Sequence, residues 1–161
     1  MSRIKNKIIF NLILLFSVFV LIAAYFIQYT LKHQPCNLCL IERIPYIFSI
    51  IVISICLLTK KFEKESLIIL SLIFFSATLI AFYHFGIEQG FIKESLVCDL
   101  NNENNSLSKE AILNELRAMP VSCRDVTFKI FGLSLSTFNI FITLILGVIT
   151  TKTFLTYEKN R

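Results

Sequence analysis

Four long stretches without a charged side chain constrain this chain more than any other feature. They cover residues 8–31, 44–59, 66–87 and 130–151, with histidine counted as neutral. An α-helix needs about 20 apolar residues to cross a hydrocarbon layer of about 30 Å. Three stretches meet that length directly. We therefore expect a chain solvated by lipid, in agreement with its 55% hydrophobic and only 17% charged residues.

The second stretch is the shortest, and Pro45 lies near its start. Proline is tolerated in the first turn of a helix, because the N–H groups there have no intrahelical partner. The helix can thus begin near Ile41, with Arg43 and Glu42 at the headgroup level, where we expect Glu42 only to form an interfacial pair. The first stretch is longer than the core of a signal peptide, so we interpret it as a retained helix.

These stretches predict an all-α integral membrane protein, a single domain over residues 1–161 that forms a four-transmembrane-helix bundle. The spans are expected at about 8–31, 41–59, 66–85 and 131–151, with loops at about 32–40 and 86–130. The long loop has an amphipathic pattern at residues 107–119, which predicts a short helix on the membrane surface.

Lysine and arginine are unevenly distributed over the connections. Nine of the 16 lie in the short N-terminal stretch, the loop at residues 60–65 and the C-terminal tail. The positive-inside rule therefore predicts that both termini are cytoplasmic and that the other two loops lie outside. The charges form no basic stripe with exposed aromatic residues, so we expect no nucleic-acid partner.

Four of the five cysteines fall in the two outer loops: Cys36, Cys39, Cys98 and Cys123. Disulfides persist on the oxidising side of a membrane. Cys36 and Cys39 form a C-x-x-C, whose small ring gains little stability from loop entropy, and a helix N-terminus favours the reactive thiolate. The pattern favours a redox-active pair over a structural bridge or a zinc half-site. The pairing stays open, because four cysteines allow three connectivities.

The separation of Cys98 from Cys123 suits a mobile redox disulfide or a static staple. It is unlike the compact ligand pairs of zinc sites, so we expect no bound metal. Cys56 lies inside the second span, where a lone cysteine is usually a small buried hydrophobe.

Three charged or titratable residues near the outer membrane surface are further candidates. Arg43 follows Cys39 by four residues and shares its helical face. It is either a snorkelling arginine or a cation beside an electron acceptor whose oxygen becomes negative. His84 and Glu88, also four residues apart, either relay protons to that acceptor or form an ordinary interfacial pair.

The sequence PCNLCLIER at residues 35–43 resembles the signature of the disulfide bond formation protein B (DsbB) family of inner-membrane thiol oxidases. Cys98 with Asp99, and Cys123 followed by FGLS at residues 131–134, look similar to the loop of that family, and the resemblance covers nearly the whole chain. The vitamin K epoxide reductase family combines related elements, but its C-x-x-C follows the loop pair.

The resemblance implies a quinone-dependent protein-disulfide oxidoreductase of the bacterial inner membrane. Cys98 and Cys123 would reoxidise a soluble periplasmic thioredoxin-like dithiol protein (DsbA-like). Cys36 and Cys39 would then reoxidise the loop pair and pass two electrons to ubiquinone or menaquinone, beside the arginine equivalent to Arg43. From the residues alone, a disulfide-stapled membrane interaction protein and a metal-binding membrane sensor stay open as alternatives.

Overall fold

A computed structural model describes residues 2–59, 62–93, 122–124, 129–130 and 132–159. The elements in these ranges are α1 (Ser2–Tyr29), α2 (Asn37–Ile41), α3 (Ile44–Thr59), α4 (Glu63–Glu88), β1 (Lys129–Ile130), β2 (Leu133–Ser134) and α5 (Leu135–Lys159). β1 and β2 pair antiparallel, with Lys129 opposite Ser134. The helix predicted at residues 107–119 lies outside the described residues.

Among the described residues, four helical segments are long and apolar enough to cross a membrane. They are Lys7–Tyr29, Asn37–Thr59, Glu63–Glu88 and Leu135–Lys159, the second being α2 and α3 together. Large apolar side chains such as Phe19, Leu58 and Leu79 are well exposed on their outer faces. A helix that is apolar on all sides is typical of a membrane span. The predicted all-α membrane fold is confirmed.

The middle of the bundle is an apolar core to which all four spans contribute. α4 and α5 share the largest interface, and α3 packs against both α1 and α4. The core residues are Phe10, Ile13, Tyr46, Ile53, Cys56, Leu67, Leu70, Phe74 and Leu146. Cys56 is 3% exposed, as expected for a small buried hydrophobe.

The second span is interrupted where the sequence predicts a continuous helix. α2 ends at Ile41, Glu42 and Arg43 form a turn, and α3 starts at Ile44. Pro45 explains the interruption, because its nitrogen cannot donate to the Ile41 carbonyl four residues earlier and its ring crowds that carbonyl. Glu42 keeps helical backbone angles, and Arg43 donates its N–H to the Leu40 carbonyl at 3.1 Å.

The two ends of the bundle carry different groups. At one end, Lys64 of α4 pairs with Glu158 of α5, with 3.0 Å between Nζ and Oε1. At the other end, α4 finishes with Gly90 at φ 76°, a left-handed conformation that glycine adopts without steric cost. This second end also receives α2 and the start of α5, so it collects the residues described next.

Candidate active site

The C-x-x-C is built around the first turn of α2. Cys36 is the N-cap, with extended backbone, and its Sγ accepts a hydrogen bond from the Cys39 backbone N–H at 3.2 Å. Cys36 and Cys39 form a disulfide with their Cα atoms 5.1 Å apart. Cys36 is 5% exposed and Cys39 is half-buried. The N–H that contacts Cys36 Sγ in the disulfide would also stabilise a thiolate there after reduction.

His84 of α4 lies beside this disulfide. Its Nε2 is 3.5 Å from Cys36 Sγ and 3.6 Å from an oxygen of Glu88. Its Nδ1 is 2.7 Å from an oxygen of Glu42. The side chains of His84, Glu88 and Glu42 are only 3%, 5% and 10% exposed. An imidazole between two buried carboxylates, and in contact with a cysteine sulfur, is suited to accept or deliver a proton.

The two carboxylates have further partners that hold them in place. Asn139 Nδ2 donates to Glu42 at 2.9 Å, and Asn139 Oδ1 accepts from the Tyr46 hydroxyl at 2.5 Å. Ser136 Oγ donates to Glu88 at 2.5 Å. Buried carboxylates are tolerated when their oxygens are hydrogen-bonded, as these are.

Sequence reasoning did not single out Asn139, Tyr46 or Ser136, and it assigned Glu42 only an interfacial pairing. The structure places Glu42 in the buried network, since the turn after α2 directs it toward α4. One sequence signal was available: Asn139 is an amide within an otherwise apolar span, and polar groups at such positions are usually functional or paired.

Arg43 lies on the other side of the C-x-x-C, toward α1. Its Nη1 donates to Gln28 Oε1 at 2.7 Å, and its guanidinium lies 5.0 Å from the centre of the Tyr25 ring. These contacts fix the guanidinium beside the cavity described next. A purely snorkelling arginine would not need a partner on a neighbouring span.

A cavity of about 430 Å³ connects these groups, a size typical of small-molecule pockets. Cys36, Cys39, Arg43, His84 and Glu88 contribute to its wall. The rest of the wall is largely apolar and includes Phe16, Phe19, Val20, Ala23, Ala24, Ile27, Leu135, Phe138 and Ile142. The cavity can therefore receive a flat, mostly apolar molecule and present it to the disulfide, the guanidinium and the imidazole.

Cys123 also contributes to the cavity wall and is 2% exposed. It packs in one buried cluster with Cys36, Leu38 and Ile87. Cys123 is disulfide-bonded. Cys98 lies outside the described residues. One cysteine of the predicted loop pair thus lies next to the C-x-x-C.

Comparison with known proteins identifies the family of this chain. An uncharacterized protein of Rickettsia prowazekii (strain Madrid E) is 28% identical over 141 residues, covering 86% of this chain and 82% of that protein. No solved structure matches the chain significantly. The family model described as "Disulfide bond formation protein DsbB" matches residues 6–152. Because that match covers nearly all of the 161 residues, the chain belongs to the DsbB family of membrane thiol oxidases.

Proposed function

We propose that this protein is a quinone-linked thiol oxidase that reoxidises a soluble, thioredoxin-like dithiol protein of the DsbA type. The observation that carries the proposal is the position of the Cys36–Cys39 disulfide. It lies in the wall of an apolar cavity and packs against Cys123. A disulfide so placed can exchange with a loop cysteine on one side and with an oil-soluble acceptor on the other.

The first exchange involves the loop pair, for which we propose Cys98 as the partner of Cys123. A thiolate of the soluble protein attacks the Cys98–Cys123 disulfide, and its second thiol completes the exchange. The soluble protein leaves oxidised, and the loop pair becomes a dithiol. The loop thiols then reduce Cys36–Cys39 in the same way, so that two electrons reach the C-x-x-C.

In the second transfer, the reduced C-x-x-C gives up its two electrons. Reoxidation of Cys36 and Cys39 to the disulfide releases two electrons and two protons. A quinone bound in the cavity supplies an acceptor for both, and ubiquinone and menaquinone are equally compatible with the cavity. Arg43 would bind a quinone carbonyl oxygen and stabilise the negative charge that reduction places there.

His84 and Glu88 are proposed to handle the protons. With Nε2 at 3.5 Å, His84 can take the proton of the Cys36 thiol as the disulfide re-forms. Glu42 and Glu88 stabilise the imidazolium that results, and Glu88 also lies in the cavity wall. These contacts favour a proton relay over an ordinary interfacial pair.

The site is proposed to face the periplasm of a bacterial inner membrane, with both chain termini in the cytoplasm. The lysine and arginine distribution supports this orientation, since the Lys64–Glu158 end is the positively charged one. Reduced cells labelled with a membrane-impermeant maleimide test it. Modification of the C-x-x-C only after cell lysis would contradict the orientation.

The function is tested by anaerobic mixing of purified protein with a quinone and a reduced thioredoxin-like protein, with quinone absorbance as the readout. We expect quinone reduction by the wild type and none by Cys36→Ser. Cys56→Ser is the matched control, because Cys56 lies in the core away from the cavity, and it should retain activity. Full activity of Cys36→Ser would overturn the proposal in favour of a disulfide-stapled interaction protein.

A further inference from the structure

Three potential metal ligands meet at the C-x-x-C. The Sγ atoms of Cys36 and Cys39 and a ring nitrogen of His84 all lie within 4.8 Å of one another. Glu88 adds a carboxylate oxygen 3.6 Å from His84 Nε2. We propose that the reduced protein binds one Zn²⁺ at this place through Cys36, Cys39 and His84, with Glu88 as the nearest side chain to complete the set, and that the ion holds the C-x-x-C in its reduced form.

The two distances from His84 match those between neighbouring ligands of one tetrahedral ion. With Zn–S of about 2.3 Å and Zn–N or Zn–O of about 2.0–2.1 Å, two ligands of one ion are about 3.6 Å apart for sulfur with nitrogen and about 3.4 Å for nitrogen with oxygen. The observed distances from His84 Nε2 are 3.5 Å to Cys36 Sγ and 3.6 Å to Glu88 Oε1. Once the disulfide is broken, the two sulfurs can separate to the distance that two thiolate ligands need.

The surroundings of His84 also match those of a zinc ligand. Metal-bound histidines commonly donate their second ring N–H to a carboxylate, which fixes the tautomer and the ring orientation. His84 Nδ1 lies 2.7 Å from Glu42, which is in turn held by Asn139 at 2.9 Å. This arrangement leaves Nε2 with its lone pair directed toward the cysteines.

Charge and access are compatible with an ion at this position. Two thiolates neutralise the charge of Zn²⁺, and the nearby carboxylates favour a cation over an anion in a buried place. Cys36, Cys39, His84 and Glu88 all line the cavity of about 430 Å³, so their ligand atoms border a space that can hold an ion.

Binding requires prior reduction. A dithiol reduces the Cys36–Cys39 disulfide by thiol–disulfide exchange and is itself oxidised to a disulfide. The two resulting thiols then release two protons to solvent as Zn²⁺ binds, without any further electron transfer. Coordination to zinc lowers the nucleophilicity of both thiolates, which hinders exchange with the loop pair and electron release. The site is therefore inhibitory.

The experiment uses full-length protein in detergent, freed of quinone, in a Cys98→Ala/Cys123→Ala background that removes the loop thiols. Co²⁺ is the spectroscopic probe, and Zn²⁺ is titrated in competition with a chromophoric chelator. We expect one ion per reduced chain, with the visible bands of tetrahedral cobalt and thiolate-to-cobalt charge transfer. The oxidised form of the same protein should show neither, and this comparison needs no substitution beyond the two in the background.

Variants then test the ligand set. His84→Ala should weaken Zn²⁺ binding at least tenfold, and Glu42→Gln should weaken it by about tenfold through loss of the orienting carboxylate. Cys56→Ser should leave it unchanged. Octahedral cobalt spectra, or equal binding by oxidised and reduced protein, would overturn the proposal. The binding assay contains no quinone and no partner protein. Absence of Zn²⁺ binding would therefore not count against the proposed oxidase function, and absence of oxidase activity would not count against Zn²⁺ binding.

Discussion

The middle of the bundle and its cysteine-bearing end both bury polar atoms, but they bury different kinds. In the middle, hydroxyl groups bond carbonyls of their own helix or a single hydroxyl on the next helix, as Thr150 and Thr143 do. At the cysteine end, His84 contacts two carboxylates, and these accept hydrogen bonds from Asn139 and Ser136 of α5. Hydroxyls can lose their partners at little cost, whereas buried carboxylates cannot.

This difference indicates that the middle of the bundle stabilises the fold and that the cysteine-bearing end forms the site. The middle holds the helices together by apolar packing and tolerates isolated polar groups. The cysteine-bearing end buries a polar network, at a cost in stability, that positions Cys36, Cys39 and His84 around one cavity. Buried ionisable groups within membrane spans are costly and generally mark function. Substitutions in the two regions should therefore separate activity from stability.

The largest difference between effects on activity and effects on stability is expected for the same substitution at two equally buried cysteines. Cys123 and Cys56 are 2% and 3% exposed. Cys123→Ala should abolish oxidation of the protein dithiol, because the loop disulfide is lost. Cys56→Ala should keep that activity and lower the free energy of unfolding by about 1 kcal/mol through lost packing. Turnover and thermal unfolding of both variants provide the test. An active Cys123→Ala variant would show that the cysteine-bearing end does not depend on Cys123 for activity.

A smaller effect is expected for His84→Gln, which keeps a polar side chain but removes the titrating group. We expect quinone-dependent turnover to fall about 100-fold, as for loss of a general base. Thiol exchange between the loop pair and the soluble protein should persist, because His84 contacts Cys36 and not the partner. Stopped-flow measurement of the two steps separates them. Equal slowing of both would assign His84 to structural support.

The four spans and the close Cys36–Cys39 pair could be predicted from sequence, because both are local. Uncharged length determines a span, and Cys36 and Cys39 lie in one short motif. The partners of His84 were not predictable in the same way. Glu42 is 42 positions away, and Asn139, which holds Glu42, is 97 positions from it. Such contacts depend on how α3, α4 and α5 pack, which a single sequence does not encode locally.

The turn between α2 and α3 is an intermediate case. The sequence predicts one continuous helix from near Ile41, and the structure instead has a turn at Glu42 and Arg43 between two helices. The missing N–H of Pro45 was the available signal. At this turn, Glu42 contacts His84 of α4 and Arg43 contacts Gln28 of α1.

Arg43→Ala should have a tenfold smaller effect than His84→Gln and should act on a different parameter. We expect the KM for quinone to rise about tenfold, in line with loss of one charge-assisted hydrogen bond of about 1.5 kcal/mol. Arg43→Lys should recover part of the loss, because it keeps the charge but not the planar fork. Steady-state kinetics at varied quinone concentration measure both, and an unchanged KM would return Arg43 to a snorkelling role.

The smallest effects are expected in the middle of the bundle, where two buried threonines differ in their partners. The Thr143 hydroxyl accepts a hydrogen bond from Thr78 on α4 at 2.9 Å. In the contacts described, the Thr150 hydroxyl bonds only to carbonyls of its own helix, those of Leu146 and Gly147, both at 2.9 Å. Thr143→Val should cost about 0.6 kcal/mol of stability, the typical value of an interhelical hydrogen bond in a membrane. Thr150→Val should cost less, because helix carbonyls keep their backbone donors. Neither should alter turnover. Thermal unfolding in detergent ranks the two, and a loss of activity in either variant would mean that the middle of the bundle also positions the site.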